Sequence, residues 1–265
     1  MMRSIHKYIR KIYHFTLRKF GIKESDIFHF LSFIFAKRIL LDKNRYLIIA
    51  PHPDDEVFGC AGLLHRLVRK GKNVQVVILT QGEALYNPPK MDVNTLIVKR
   101  RELALNAAKI LELTAEQYTF LNWGDGKLHE NQNKKELCSI LETFKPEVVF
   151  IPHISDGSLD HFHATKIVTN TVHHFMPSIK LMYYCVWMLD RHSPYRLNWM
   201  KSYILTMNTK EEVAKSEAVN AYALQKDERG IPYSGYKELA QLPSTCRWKK
   251  ELFFDEQHSN MISQN

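Results

Sequence analysis

Short apolar runs alternate along the chain with longer segments in which apolar residues recur at helical spacing. The runs have the length of buried strands, and the longer segments have the length of helices. The runs span 46–50, 74–79, 118–121, 147–151 and 181–187, and the helical segments span 57–70, 96–111, 134–144 and 161–177. This βαβ rhythm predicts an α/β, Rossmann-like fold with a mostly parallel sheet and helices on both faces.

Four polar side chains follow the first apolar run within five residues, namely His52, Asp54, Asp55 and Glu56. In open α/β sheets, sites form at the carboxyl ends of strands, where polar groups are costly to desolvate unless they are paired or ligated. A histidine nitrogen and a carboxylate oxygen suit a catalytic zinc ion, which needs three protein ligands and one open position. The same carboxylates could instead cap the helix that follows, and the spacing alone leaves both interpretations open.

A second polar cluster follows the apolar run at 147–151. It contains Asp156, Asp160, His161 and His163. The chain has 13 histidines in 265 residues, so such a cluster can also be an ordinary polar loop. Because both clusters come after strands of the same kind, we expect them to meet at one edge of the sheet and to share a divalent metal ion.

The segment from His52 to Glu56, His-Pro-Asp-Asp-Glu behind an apolar strand, resembles the signature of the PIG-L/LmbE-like family of zinc-dependent de-N-acetylases. The resemblance extends over most of the chain from Tyr46 onward. Further segments that resemble the family lie at 80–83, 99–111, 120–126 and 215–225.

This resemblance implies a zinc ion held by His52, Asp55 and His161, the last of which matches the final histidine of the family's His-x-Asp-His pattern. It also implies that Asp54 is the general base, and that Asp160, the matched neighbour of His161, belongs to the catalytic residues. The implied reaction hydrolyses the acetamide of an N-acetylated amino sugar or glycoconjugate. The spacing of the residues supports only a metal-assisted hydrolase, so hydrolysis of a different amide is an alternative.

The chain departs from the family pattern at Ser158, where the family has a histidine that helps to stabilise the tetrahedral intermediate. His153 or His163 could take its place, and the sequence does not decide between them. We predict that His163 binds substrate. The departure also leaves open a weakly active, membrane-associated binding or scaffold protein.

The helix that resembles the family's Arg-x-x-Glu helix contains three consecutive cations. Counted strictly from Glu102, the family arginine falls on Lys99, and Arg100 or Arg101 could supply the guanidinium instead. We predict Arg100 as a substrate-binding residue, together with Asp125 in an Asp-Gly turn that resembles the family's. Asp-Gly by itself is most often an ordinary turn.

Positive charge is concentrated in residues 1–45. This segment has 11 lysines and arginines against three acidic residues, whereas residues 46–265 have 26 basic and 25 acidic residues. The near-neutral composition of 46–265 argues against nucleic acid as a partner. We therefore predict a basic amphipathic helical arm at 1–45 and the deacetylase domain at 46–265.

The arm has the pattern of a helix that lies on an anionic membrane surface. Ile5, Tyr8, Ile9 and Ile12 recur at roughly helical spacing among basic residues. The apolar stretch at 27–36 has about half of the ~20 residues that a spanning helix needs. A helix packed on the domain or on a partner subunit is the alternative. Four widely spaced cysteines without Cys-x-x-Cys favour a reducing compartment, so we expect a cytoplasmic protein, either free or peripheral on the membrane.

Overall fold

An eight-stranded, mostly parallel sheet forms the centre of the part of the chain that the structure describes. The structure is a computed structural model and describes residues 23–84, 91–130, 134–191, 194, 197–236 and 239–255, together with Lys19 and Gly21. The strands are β1 (Lys37–Arg38), β2 (Arg45–Ala50), β3 (Asn73–Thr80), β4 (Tyr118–Trp123), β5 (Val148–Pro152), β6 (Lys180–Tyr184), β7 (Ser202–Thr206) and β8 (Lys250–Phe254). Their order is β1-β7-β8-β6-β5-β2-β3-β4, and among these strands only β8 runs antiparallel to its neighbours.

Helices cover both faces of this sheet. The α-helices of the described residues are α1 (Glu24–Phe35), α2 (Asp55–Arg69), α3 (Val93–Ile110), α4 (Lys134–Phe144), α5 (Leu159–Phe175), α6 (Met188–Arg191) and α7 (Thr209–Ala223). Short 3₁₀ turns lie at Ala115–Gln117, Leu128–Glu130, Trp199–Lys201, Leu239–Gln241 and Ser244–Cys246. Helices α2, α3 and α7 pack together on one face, and α1, α4, α5 and α6 contribute to the core on the other. The predicted fold class is confirmed.

Alternating residues of the central strands supply the two cores. In β2, Tyr46, Ile48 and Ala50 belong to the core beneath α2, whereas Leu47 and Ile49 belong to the core on the opposite face. A strand that is buried on both faces has no position for a polar side chain. The continuous apolar runs of the sequence therefore correspond to central strands of the sheet.

The apolar pattern did not predict β7 or β8, and the run at 181–187 ends as a strand at Tyr184. In β8, the apolar run is interrupted by Glu251, which is buried and pairs with Lys215 Nζ at 2.9 Å. The Glu251 carboxylate also accepts the backbone N–H groups of Gly62 and Leu63, each at 2.8 Å. Charged residues are almost never fully buried unless they are paired, and this partner is distant in the sequence.

Part of the predicted arm is packed into the body of the protein. Residues 1–18 lie outside the described residues. Helix α1 buries Phe28, whose ring centroid is 5.7 Å from that of Trp199, and Lys37 of β1 is paired with Tyr203 of β7. Residues 24–45 of the predicted arm thus contact the body, and the domain boundary at residue 45 stays a prediction. Among the described residues, no helix has the length and apolar character needed to cross a membrane.

A crevice at the carboxyl end of β2 follows from the topology. The chain passes from β2 to β3 and β4 on one side, and then returns to β5 on the other side of β2. Ligand sites of open α/β sheets lie at such a switch of direction. The two polar clusters come directly after β2 and β5, so the fold brings them together as predicted.

Candidate active site

The turn after β2 places His52 and Asp55 against each other. The backbone N–H of His52 donates to Asp55 Oδ2 at 3.0 Å, and His52 Nδ1 lies 3.1 Å from the same oxygen. Asp54, between them, has φ 153° and ψ −30°, a conformation that non-glycine residues rarely adopt. Asp54 precedes α2, but its side chain makes no capping hydrogen bond. Helix capping therefore does not explain why a carboxylate stands at position 54.

The first turn of α5 brings His161 to the same carboxylate. His161 Nε2 lies 3.1 Å from Asp55 Oδ2, and both residues are buried. Ligand atoms of His52, Asp55 and His161 all lie within 4.8 Å of one another. Two imidazoles and one carboxylate match the ligands of a catalytic metal site with an open position. The structure thus brings together the three predicted metal ligands.

A carboxylate holds the outward-facing nitrogen of each imidazole. His161 Nδ1 is 2.7 Å from Asp156 Oδ2, and His52 Nε2 is 3.1 Å from Asp125 Oδ1 and 3.2 Å from Asp160 Oδ2. Carboxylates behind metal-binding histidines fix the tautomer and the orientation of the ring.

A second group of possible metal ligands consists of His52, Asp125 and Asp160. The first group fits a metal ion better. With a metal there, Asp125 and Asp160 can still accept a hydrogen bond from His52, and Asp156 can still accept one from His161. Asp160 Oδ2, for example, accepts the backbone N–H of Gly126 at 2.7 Å as well as facing His52. Asp160 therefore contacts a metal-ligand candidate and does not line the cavity.

Asp54 and Arg100 form a buried pair beside the metal-ligand candidates. Arg100 Nη2 lies 3.5 Å from Asp54 Oδ2 and donates to the Pro53 carbonyl at 3.2 Å. Burial and the charge on Asp55 raise the pKa of Asp54 to about 7, and Arg100 opposes this shift. The backbone N–H of Asp54 donates to Glu56 Oε2 at 3.1 Å, so the third carboxylate of the motif holds the backbone of the first.

The orientation of α3 directs only one of its three consecutive cationic side chains into the protein. Lys99 is exposed and pairs with Glu102 at 2.7 Å, and the guanidinium of Arg101 lies over the ring of Phe120 at 4.6 Å. Arg100 points inward and is buried. Gly82 makes room for it, since a Cβ there would lie 2.6 Å from Arg100 Cζ. The structure therefore places Arg100, as predicted, at the site.

These groups line a cavity of about 370 Å³. Its lining residues are His52, Asp54, Asp55, Gly82, Ala84, Arg100, Asp125, Ser158, His161, Trp187, Arg191, Ser234, Gly235 and Tyr236. The last three belong to the turn-rich segment at 227–236. The cavity has the size of a small-molecule site and combines aromatic rings with convergent polar groups.

The two histidines that could replace the family histidine do not line this cavity. His163 is half-buried beside His129, with 5.5 Å between the ring centroids. His153 is buried against Phe254, and its Nδ1 accepts the backbone N–H of Ser155 at 3.1 Å. Ser158 does line the cavity, but the geometry gives neither histidine the role of its substitute. The prediction that His163 binds substrate therefore has no support from its position.

Asp156 is a site residue whose role the sequence did not indicate. Its buried carboxylate faces His161 and also accepts the backbone N–H groups of Val186, Trp187 and Met188 at 2.8 to 3.1 Å. It thereby joins a metal-ligand candidate to the segment that carries Trp187 and Arg191. The available signal was an aspartate five residues before a histidine predicted to bind metal, since carboxylates commonly support such ligands.

Part of the chain is similar to known proteins. Residues 47–172 match the PIG-L family, described as GlcNAc-PI de-N-acetylase. The chain is 28% identical over 127 residues to a diacetylchitobiose deacetylase of Thermococcus kodakarensis, a match that covers 46% of this chain and 47% of the relative. It is 29% identical over 139 residues to the uncharacterized deacetylase YaiS of Escherichia coli, covering 48% of this chain and 68% of the relative.

A solved structure shares the fold. The N,N'-diacetylchitobiose deacetylase of Pyrococcus horikoshii superposes with a TM-score of 0.56 at 23% identity, over 68% of this chain and 70% of that chain. The matched region thus spans about half of the length of the Thermococcus relative and more than two thirds of the Pyrococcus protein.

Proposed function

We propose that this protein is a zinc-dependent hydrolase that removes the acetyl group from an N-acetylated amino sugar or glycoconjugate. The match of residues 47–172 to the PIG-L family supports this proposal. The observation that carries this proposal is the convergence of His52, Asp55 and His161 beside Asp54 in one cavity. The names of both curated relatives describe deacetylases.

The proposed zinc ligands are His52 Nδ1, Asp55 Oδ2 and His161 Nε2. The donor set fits, because both imidazoles face one carboxylate oxygen and each is held from behind by another carboxylate. When bound, the ion supplies Lewis acidity toward water and toward a carbonyl oxygen. Asp125 and Asp160 act as positioning residues for His52, and Asp125 also lines the cavity where a substrate hydroxyl would lie.

Asp54 is the proposed acid and base. Its carboxylate takes a proton from the attacking water as the new C–O bond forms at the acetamide carbonyl. It then delivers that proton to the amide nitrogen as the C–N bond breaks, which gives acetate and a free amino sugar. Asp54 is buried, lines the cavity and directly precedes a metal-ligand candidate, so its carboxylate is placed for both proton transfers.

Arg100 is the proposed cationic donor for the developing negative charge. It is buried at the cavity beside Asp54, and its Nε and Nη1 atoms make no well-formed hydrogen bond to the described residues. Buried N–H groups that lack an acceptor are costly, and a substrate oxygen would satisfy them. Preorganised donors of this kind stabilise an oxyanion more strongly than water does. Arg100 thus supports the reaction at a site where Ser158 replaces the family histidine.

The direct test is acetate release from a panel of N-acetylated sugars and glycoconjugates. We expect the zinc-loaded protein to release acetate from at least one of them, and chelation of the metal to stop release until zinc is restored. Zinc should be compared with other divalent ions at equal occupancy. Release of a different acid from another amide would favour the alternative hydrolase. A fully loaded protein that binds these sugars but hydrolyses none would favour a binding or scaffold role and contradict the proposal.

We also propose a cytoplasmic protein that contacts an anionic membrane surface. Helix α1 and the segment that follows β1 expose a group of large apolar side chains, which we name the α1 apolar face: Phe30, Phe33, Ile34, Phe35 and Leu40. Phe33 and Leu40 are 78% and 77% exposed. The exposed side chains of Lys37 and Arg38 lie between them in sequence, and the strongly basic residues 1–22 precede the helix. Exposed apolar residues bordered by cations suit the interface of an anionic bilayer.

Vesicle co-sedimentation checks this second proposal. We expect the double variant Phe30→Ser with Phe33→Ser to bind anionic vesicles at least several-fold more weakly than the wild type, because insertion of two aromatic rings is lost. Phe175→Ser is the matched control, since Phe175 is also exposed (56%) but lies at the end of α5. Binding should also weaken as ionic strength rises. Equal sedimentation of the double variant and the wild type would contradict membrane contact through this face.

A further inference from the structure

Arg191 is a cation in the cavity that lacks a counter-charge. Within the part of the chain that the structure describes, no carboxylate lies within ion-pair distance of its guanidinium. The other charged groups of the cavity have partners: Arg100 faces Asp54, and Asp125 faces His52. The adjacent Asp190 is directed away, to the backbone N–H and the hydroxyl of Ser244.

The structure holds Arg191 in place through its neighbours. Its guanidinium carbon lies 4.0 Å from the centroid of the Trp187 ring, which is a close cation–π contact. Its aliphatic stem passes over Gly157, where a Cβ would approach Arg191 Cβ to 3.0 Å. The Asp156 carboxylate accepts the backbone N–H of Trp187 and so helps to hold the residue whose ring stacks on the guanidinium. The cation is therefore preorganised, which lowers the entropic cost of binding a ligand.

We propose that Arg191 binds an anionic group, a phosphate or a carboxylate, that the substrate carries beside its acetamide-bearing sugar. This inference rests on the proposed deacetylase function, since it assigns a substrate class to the same cavity. A guanidinium stacked by its face keeps its N–H edge free, and that edge matches the paired oxygens of a carboxylate or phosphate. A cavity of about 370 Å³ admits a small charged substituent but not a folded partner.

A neutral substrate would leave this cation without a function. Arg191 is itself exposed, but unlike an arginine that is solvated on all sides it stacks on Trp187, packs against Gly157 and lines the cavity. The substrate of this protein thus differs from a plain neutral oligosaccharide at the position that faces Trp187 and Arg191.

Equilibrium binding tests this assignment without relying on turnover. The ligands are three N-acetylglucosamine derivatives: the 1-phosphate, the carboxymethyl glycoside and the neutral methyl glycoside. Titrations use the zinc-loaded Asp54→Asn protein, so that hydrolysis does not consume the ligand, with and without Arg191→Gln or Arg191→Lys. Arg69→Gln is the matched control, since Arg69 is exposed and lies at the end of α2 away from the cavity.

We expect at least one anionic derivative to bind about 10-fold or more tightly than the methyl glycoside, because hydrogen bonds to charged groups are the strong ones. Whether the phosphate or the carboxylate has the larger preference identifies the anion. Arg191→Gln should remove most of this preference, Arg191→Lys should keep part of it, and Arg69→Gln should keep all of it.

Two results would overturn the assignment of Arg191. One is an unchanged anion preference in Arg191→Gln, and the other is an equal loss of affinity for all three derivatives, which indicates only a structural role. Failure of the deacetylase proposal would look different. In that case the protein with native Asp54 would release no acetate from any derivative, while the Arg191-dependent anion preference in binding could still be measured.

Discussion

Asp54→Asn is expected to lower kcat for acetate release by about 10²- to 10⁴-fold while the bound metal is retained. Asparagine keeps the shape of the side chain but cannot accept a proton from water or deliver one to the leaving nitrogen. Asp54 is not among the three metal-ligand candidates, so its replacement leaves those ligands intact. The measurement combines single-substrate kinetics with metal analysis of the same preparation.

Glu102→Gln is the control for this experiment. Glu102 is a carboxylate on the exposed side of α3, where it pairs with Lys99, and it lies outside the cavity lining. Its loss should change kcat by less than twofold, because exposed ion pairs contribute little. Near-normal turnover of Asp54→Asn, with full metal occupancy, would refute the assignment of Asp54 as acid and base.

His161→Ala is expected to remove most of the bound metal and, with it, nearly all hydrolysis. The imidazole is buried and provides one of three ligand atoms, so its loss leaves an incomplete set that a small side chain cannot complete. Asp156→Asn should give an intermediate result. Loss of a carboxylate behind a metal-binding histidine typically weakens metal affinity by about 10- to 100-fold.

His163→Ala provides the matched control for metal content. It lies two residues from His161 on the same helix but packs beside His129 and not at the cavity. We expect it to bind metal as tightly as the wild type in a competition with a chelator of known affinity. Full metal retention in His161→Ala would exclude it as the third ligand and would favour the group formed by His52, Asp125 and Asp160.

The sequence predicted the features that depend on local pattern. Strands β2 and β5 are buried on both faces, so each contains an uninterrupted apolar run, and the run of β3 is interrupted only by the half-buried Gln75. The two polar clusters come directly after β2 and β5, and the resemblance to the PIG-L family, now confirmed, assigned one half of the metal site to each. Parallel strands bring their carboxyl ends together, which is why this part of the site could be foreseen.

Features that depend on distant contacts could not be read from the sequence. Arg100 was predicted, but counting from Glu102 also left Lys99 and Arg101 open, because only the packing of α3 decides which of the three side chains is buried. The role of Asp156 depends on backbone N–H groups some 30 residues away. Strand β8 was missed because the partner that neutralises Glu251 is in α7.

Strand β8 also determines when the sheet can close during synthesis. Although it is the last strand of the described residues, β8 lies between β6 and β7, and β7 is in turn the neighbour of β1. Until residues 250–254 have left the ribosome, β1 and β7 have no strand pairing with the five strands β2 to β6. Pairings between segments so distant in sequence form slowly, and unpaired strand edges are prone to aggregate in the meantime. The nascent chain therefore completes this sheet only after residue 254 has emerged, and chaperone dependence should be concentrated in the interval between the emergence of β7 and that of β8.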